Sequence, residues 1–209
     1  MRFGLSSLFA AAALAGLAAC ANQYDLGTAD TAVPRTSGPV AITVIERRDS
    51  VLAGRKPPSF VGLQSLGVGE PLDVTTSSGQ PLADDMAELL AAAFYRQQTE
   101  TWVVRSSFGD TAADAFRAFL ASPSDRLLLI EIREWQTDTL ISVSATWDLV
   151  ARVYDRDGTV LAEERERGSR EWEETVILDE QKGRIAADHL SALLGALLGR
   201  RSIAAALAS

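Results

Sequence analysis

Cysteine and histidine are almost missing: the 209 residues hold one of each. A disulfide within the monomer needs two thiols and a Cys/His zinc cage needs three or four ligands, so neither can form, and no metal or cofactor site is expected. Triad hydrolysis needs an imidazole base, yet His189, the lone candidate, lies in an Ala/Leu-rich helical stretch and reads as a helix-flank residue. No Gly-x-Ser-x-Gly elbow accompanies it, since Ser65 sits in Gly-Leu-Gln-Ser-Leu-Gly. Positive charge is also short, with Lys+Arg 20 against Asp+Glu 28 and a net charge of −8, which disfavours the phosphate neutralisation behind nucleic-acid binding. Gly62, Gly67 and Gly69 are not followed by Gly-Lys-Ser/Thr and do not match a dinucleotide fingerprint, so a phosphate loop is not expected either. What remains is an ordinary globular composition, 47% hydrophobic and 23% charged, enough to bury a core.

The one cysteine has a telling position. Residues 1–19 carry a single arginine, an Ala/Leu run and small residues, the layout of an export signal, and Leu17-Ala18-Ala19-Cys20 follows. This resembles the lipobox of bacterial lipoproteins, which implies cleavage before Cys20, acylation of its thiol and amino group, and anchoring by several chains. An uncleaved transmembrane anchor is the alternative, weakened by the glycine and serine content of the segment. Ala21 and Asn22 offer no aspartate retention signal, which in that family implies the outer membrane, with the domain facing the periplasm.

The mature chain divides, on this reading, into an acylated Cys20 with a flexible polar tether at 20–39, one domain at 40–200, and a tail at 201–209. Val40 to Arg47 is a β-rich run, followed by a long Gly/Pro-rich connection from Arg48 to Gln80. Pro81 opens a helix with Leu82, Met86, Leu89, Leu90, Ala93 and Phe94 on one face. Thr101 to Arg105 reads as a strand, and Asp110 as the cap of a second helix bearing Phe116, Phe119 and Leu120. Arg126 to Trp135 and Ile141 to Tyr154 alternate as strands, and Asp157-Gly158 predicts a hairpin placing Tyr154 opposite Leu161, Arg152 opposite Glu163 and Asp148 opposite Arg167. The same register puts Glu164 and Glu166 on the apolar face, calling for a bulge or an overhang into solvent. A last helix carries Leu190, Leu193, Leu194 and Leu197. The order β-α-β-α-β-β-β-α predicts an α+β fold with about five mixed strands and three helices mainly on one face.

Two constellations stand out. Arg47, Arg48, Arg55 and Lys56 form a basic group suited to anionic headgroups or acidic partners. Phe60, Val61, Leu63, Leu66 and Val68 place large apolar residues in the long connection, where they either cover the sheet or meet a partner. Arg55, Lys56, Phe60 and Leu66 are accordingly the candidate partner-binding residues. The glutamates at 163, 164, 166, 171, 173 and 174 are interleaved with arginines and read as a solvated edge rather than an acid pair for wall hydrolysis.

Arg47 to Asp49, Lys56 to Gly62, Gly67 to Pro71 and the Pro81-Leu82 helix start resemble the YajG-type family of small bacterial lipoproteins. The resemblance implies an α+β envelope domain, in a family with no established enzymatic activity. The expectation is a non-enzymatic scaffold or partner-binding lipoprotein, joined to the membrane through Cys20, with an envelope protein or lipid as partner. An auxiliary role in an ABC-type envelope lipid transporter is the alternative, and a peptidoglycan hydrolase the outsider.

Overall fold

The longest strands, β6 (Arg126–Thr139), β7 (Val143–Tyr154) and β8 (Val160–Trp172), form an antiparallel meander in which β7 alternates apolar and polar residues, while β6 carries a continuous apolar run from Leu127 to Ile130 because both of its faces are covered there. The structure, a computed structural model, describes residues 23–27, 29–65, 69–139, 142–172 and 179–209. At the second hairpin Gly158 takes φ 84°, a conformation that only glycine adopts without strain, while the Asp155 carboxylate accepts from the Asp157 and Thr159 amides. Asp148 lies opposite Arg167 and Arg152 opposite Glu163, as the charge pattern predicts; Tyr154 meets Val160 instead of Leu161 because the register shifts between Val153 and Tyr154.

β7 runs along one edge of β6, so two parallel strands share the other edge end to end. β2 (Val40–Glu46) pairs with Arg126 to Ile132, and β3 (Phe60–Gln64) with Thr137 to Thr139. β5 (Thr101–Val103) extends the sheet beyond β2, while β4 (Leu72–Thr76) and then β1 (Gln23–Tyr24) extend it beyond β3. The sheet has eight strands instead of about five. The three extra ones are β1 and the β3–β4 hairpin, which occupies the connection between Arg48 and Gln80.

The seam between β2 and β3 interrupts the ladder on β6, and β6 itself shifts register between Ile132 and Glu134. Backbone carbonyls there need donors. Arg48 supplies them: its Nη1 donates to Phe60 O at 2.7 Å and Trp135 O at 3.2 Å. Its Nε and Nη2 grip both oxygens of Glu46 at 2.9 and 2.6 Å, and its amide donates to Glu46 Oε1. Arg48 is 1% exposed, so it does not belong to a surface basic group.

Among the described residues there are five helices: α1 (Asp49–Leu52) at the seam, α2 (Leu82–Arg96), α3 (Ala112–Phe119), α4 (Asp179–Leu198) and α5 (Arg201–Ala208). α2, α4 and α5 cover the face formed by Val40, Ile42, Leu128, Ile130, Leu149 and Ala151. α3 covers the opposite face, with Phe119 and Ala115 on Ala41, Ile45, Leu127 and Leu129, so the helices are not confined to one side. Its cap is Thr111, in a reciprocal capping box with Asp114, not Asp110.

Both flanks of the expected domain also fold. Tyr24, Leu26, Ala29 and Val33 are at most 7% exposed, and Thr31 Oγ1 meets Ser191 Oγ at 2.9 Å inside the core. The stretch 23–39 is therefore a packed strap, because full burial of side chains such as Leu26 is worth about 1.5–3 kcal/mol each. The expected tail at 201–209 forms α5, with Ile203 and Leu207 buried. The register shift at the turn leaves Glu164 opposite Ala151 and Glu166 opposite Leu149, and α5 with its cap supplies partners for both carboxylates. Glu164 accepts from Ser202 Oγ, and Glu166 pairs with Arg200 at 2.6 Å.

Candidate partner-binding site

The backbone of β5 faces β2 on one side only. Val40 donates to Glu100 O at 3.0 Å and Val104 to Ile42 O at 2.8 Å. In a parallel ladder of that phase the N–H and C=O groups of Thr101 and Val103 point away from β2, along the outer edge of the sheet. Large aromatics flank that edge. Trp102 is 44% exposed and lies opposite Ala41, hence on the α3 face. Tyr95, at the end of α2 on the other face, is 77% exposed, and Phe108, in the segment after β5, 60%. A groove of about 780 Å³ runs between α2 and β5, lined by Tyr95, Arg96, Gln98, Thr99, Glu100 and Thr101. Gln98 shapes it by turning the chain at φ 62°, the one non-glycine residue at positive φ among the described residues. Exposed Trp, Tyr and Phe beside a short edge strand combine the residues favoured in interface cores with the geometry that accepts an added strand. No sequence signal marked this edge, because the exposure of Trp102 follows from β5 being the outermost strand on its side of the sheet.

The residues proposed from sequence are placed elsewhere. Phe60 is 1% exposed in β3, under the Lys56 ammonium 5.0 Å from its ring centroid. Lys56 also pairs with Asp73 on β4, and Arg55 donates to the Asp49 carbonyl at 3.3 Å. The Phe60 ring is thus part of the core, whereas Lys56 edges the β3–β4 hairpin and Arg55 is exposed beside α1. Leu66 lies outside the described residues, as does Cys20. Arg47 is exposed and lines a separate groove of about 540 Å³ with Asp49, Thr111, Ala112, Glu131 and Arg133.

The glutamates of β8 have structural partners. Glu163 binds Arg152, which also binds Glu131 on β6; Glu131 in turn receives Arg133, and Glu171 accepts from Ser142. Hydrogen bonds from these arginines hold the Glu131 carboxyl below the usual range against an opposing burial effect. Glu173 and Glu174 lie outside the described residues.

His189 is not a plain helix-flank residue. It sits against three tryptophans, with ring centroids 4.7 Å from Trp172, 4.8 Å from Trp147 and 6.3 Å from Trp135. Among the described residues its buried Nε2 has no hydrogen-bond partner, nor does the buried Nε1 of Trp147. Burial, followed by the charge of Arg170, lowers its pKa from 6.5 to about 4. The folded protein therefore keeps His189 neutral where the unfolded chain binds a proton. Its contribution to stability is complete above pH 6.5 and is lost as pH falls toward 4. Allowing for partial solvent screening, this amounts to about 1–2 kcal/mol. Urea unfolding of the wild type at pH 7 and pH 4.5 should show that extra loss, and His189→Gln should lack it. Identical pH slopes in both proteins would refute the assignment.

No family model matches this chain, and no curated protein matches its sequence. Solved structures do resemble it. Protein XCC0632 from Xanthomonas campestris, of family model DUF330, superposes with a TM-score of 0.54 at 16% identity, covering 87% of this chain and 95% of that one. At that identity the likeness establishes a shared fold and nothing more. Lipoprotein GNA1162 from Neisseria meningitidis gives 0.39 at 12% identity over 73% and 95% of the two chains. The PelC dodecamer subunit from Paraburkholderia phytofirmans gives 0.39 at 13% identity over 87% and 95%.

Proposed function

We propose that the protein is a non-enzymatic lipoprotein of the YajG-like kind, anchored through Cys20 in the outer membrane and facing the periplasm, which binds an envelope protein through the edge of β5. The observation that carries the binding role is the exposure of Trp102, Tyr95 and Phe108 around an outward-facing strand. Large aromatics of this kind supply most of the binding free energy where they enter a partner's pocket. The lipid-transport reading leaned on the apolar run from Phe60 to Val68, of which Phe60 and Val61 are buried in the core while Leu66 and Val68 lie outside the described residues. Hydrolysis leaned on the β8 glutamates, four of which are tied to Arg152, Ser202, Arg200 and Ser142.

A photo-crosslinking amino acid at position 102, used in cells, tests the assignment. Adducts should form there and in place of Tyr95, and none should form from position 60. Trp102→Ser should shift the unfolding free energy by less than about 1 kcal/mol, as expected for a half-exposed side chain, while reducing adducts formed from position 95 several-fold. Adducts undiminished by that change, or formed only from the Arg47 groove, would move the site.

A further inference from the structure

The strap between the anchor and the sheet is tied down from its first described residue. Gln23 and Tyr24 form β1 on the edge of β4, with Ser77 N donating to Tyr24 O at 2.9 Å. The Tyr24 ring lies so close to α4 that a methyl group at Gly183 would come within 3.0 Å of its Cδ1. Further on, Arg96 holds Asp30 at 2.9 Å and Gln97 Nε2 donates to Val33 O at 3.0 Å. Only three peptide links separate Cys20 from Gln23, and a fully extended chain covers at most about 3.6 Å per residue, so the leash is no longer than about 11 Å. A free tether of about 19 residues would instead average roughly 25 Å between its ends.

We infer that the domain is seated directly on the bilayer with its β1 side against the lipid headgroups, and that the β5 edge is thereby presented to a protein lying in or on the same membrane. This rests on the acylation of Cys20 proposed above. β1 reaches β6 through β4 and β3 beside its Thr137 half, whereas β5 reaches it through β2 beside its Arg126 half. At about 3.3 Å per residue the two edges are held on the order of 25 Å apart, so the binding edge keeps a set distance from the anchor and does not sweep a volume. A partner far across the periplasm is out of its reach.

The test uses the full lipidated chain reconstituted in vesicles of phosphatidylethanolamine with a minority of phosphatidylglycerol and an acceptor-dye headgroup lipid. A donor dye is attached to Ser77→Cys, an exposed position beside β1. Energy transfer from that site should be strong, and should fall several-fold when a ten-residue Gly/Ser spacer is inserted between Asn22 and Gln23. Tyr24→Ser combined with Leu26→Ser, which releases the strap, should reproduce the fall. Flotation with the vesicles together with transfer insensitive to the spacer would overturn the seating alone. Failure to float, matched by Cys20→Ser, would overturn the anchor and the seating with it.

Discussion

Arg48→Ala is expected to destabilise the domain by about 3–5 kcal/mol, the range for removing one member of a buried ion pair. A typical domain has only about 5–15 kcal/mol of stability, so much of the margin would go. The cause is compound. Glu46, 8% exposed, would keep a carboxylate without its counter-charge, and the carbonyls of Phe60 and Trp135 would lose their shared donor. Arg48→Lys should rescue little, since an ammonium cannot span two carboxylate oxygens and two carbonyls with one planar fork. Glu46→Leu combined with Arg48→Met should be less damaging than Arg48→Ala alone, because no buried charge is then left single. Urea denaturation of the four proteins decides the matter, and a loss below about 1 kcal/mol for Arg48→Ala would show that the seam does not depend on this side chain.

Gly62→Ala should be almost as harmful. A β-carbon at position 62 would lie 2.0 Å from Thr137 Oγ1 and 2.5 Å from Thr137 O. A hydroxyl can rotate away, but the carbonyl belongs to the ladder that joins β3 to β6, so the strands must part. Ordinary overpacking costs about 1–3 kcal/mol, and a clash with paired backbone belongs at or above the top of that range. Adding Thr137→Ala should restore little, since the carbonyl remains. Amide exchange should show β3, β4 and β1 losing protection together while β7 and β8 keep theirs. Full recovery in the double variant would locate the conflict in the hydroxyl alone.

The parts legible from sequence are those whose pattern is local. Leu128, Ile130 and Ile132 alternate, Asp157-Gly158 turns, and the opposed pairs Asp148–Arg167 and Arg152–Glu163 follow from counting back from the turn. The α2 face was equally clear, since Leu82, Met86, Leu90 and Phe94 repeat with helical spacing and are buried as a set. β3 and β4 were obscured because Gly62 and Pro71 punctuate runs of only five residues, and Gly62 is required by the approach of Thr137, a residue far along the chain. The strap shows no period because it is not a regular element beyond β1: Tyr24 and Ala32 each meet α4 at a glycine, Gly183 and Gly195. Arg48 looked like its basic neighbours, since burial is set by Phe60 and Trp135, and three tryptophans from β6, β7 and β8 define the surroundings of His189. The candidate edge at β5 was equally hidden, as the exposure of Trp102 depends on β5 being the last strand on its side.

The shared edge of β6 also orders assembly in time. β6, β7 and β8 are sequential neighbours only a few residues apart in the chain, so they can zip early at small loop-closure cost. β2 has no neighbour close in sequence: Val40 pairs in parallel with Thr101 of β5 and with Arg126 of β6, both far along the chain. Parallel pairing across such separations raises contact order and slows folding toward the millisecond-to-second range. The carboxy-terminal meander is thus the template on which β2 and the local β3–β4 hairpin dock, so the two halves of the sheet join only once β6 is available.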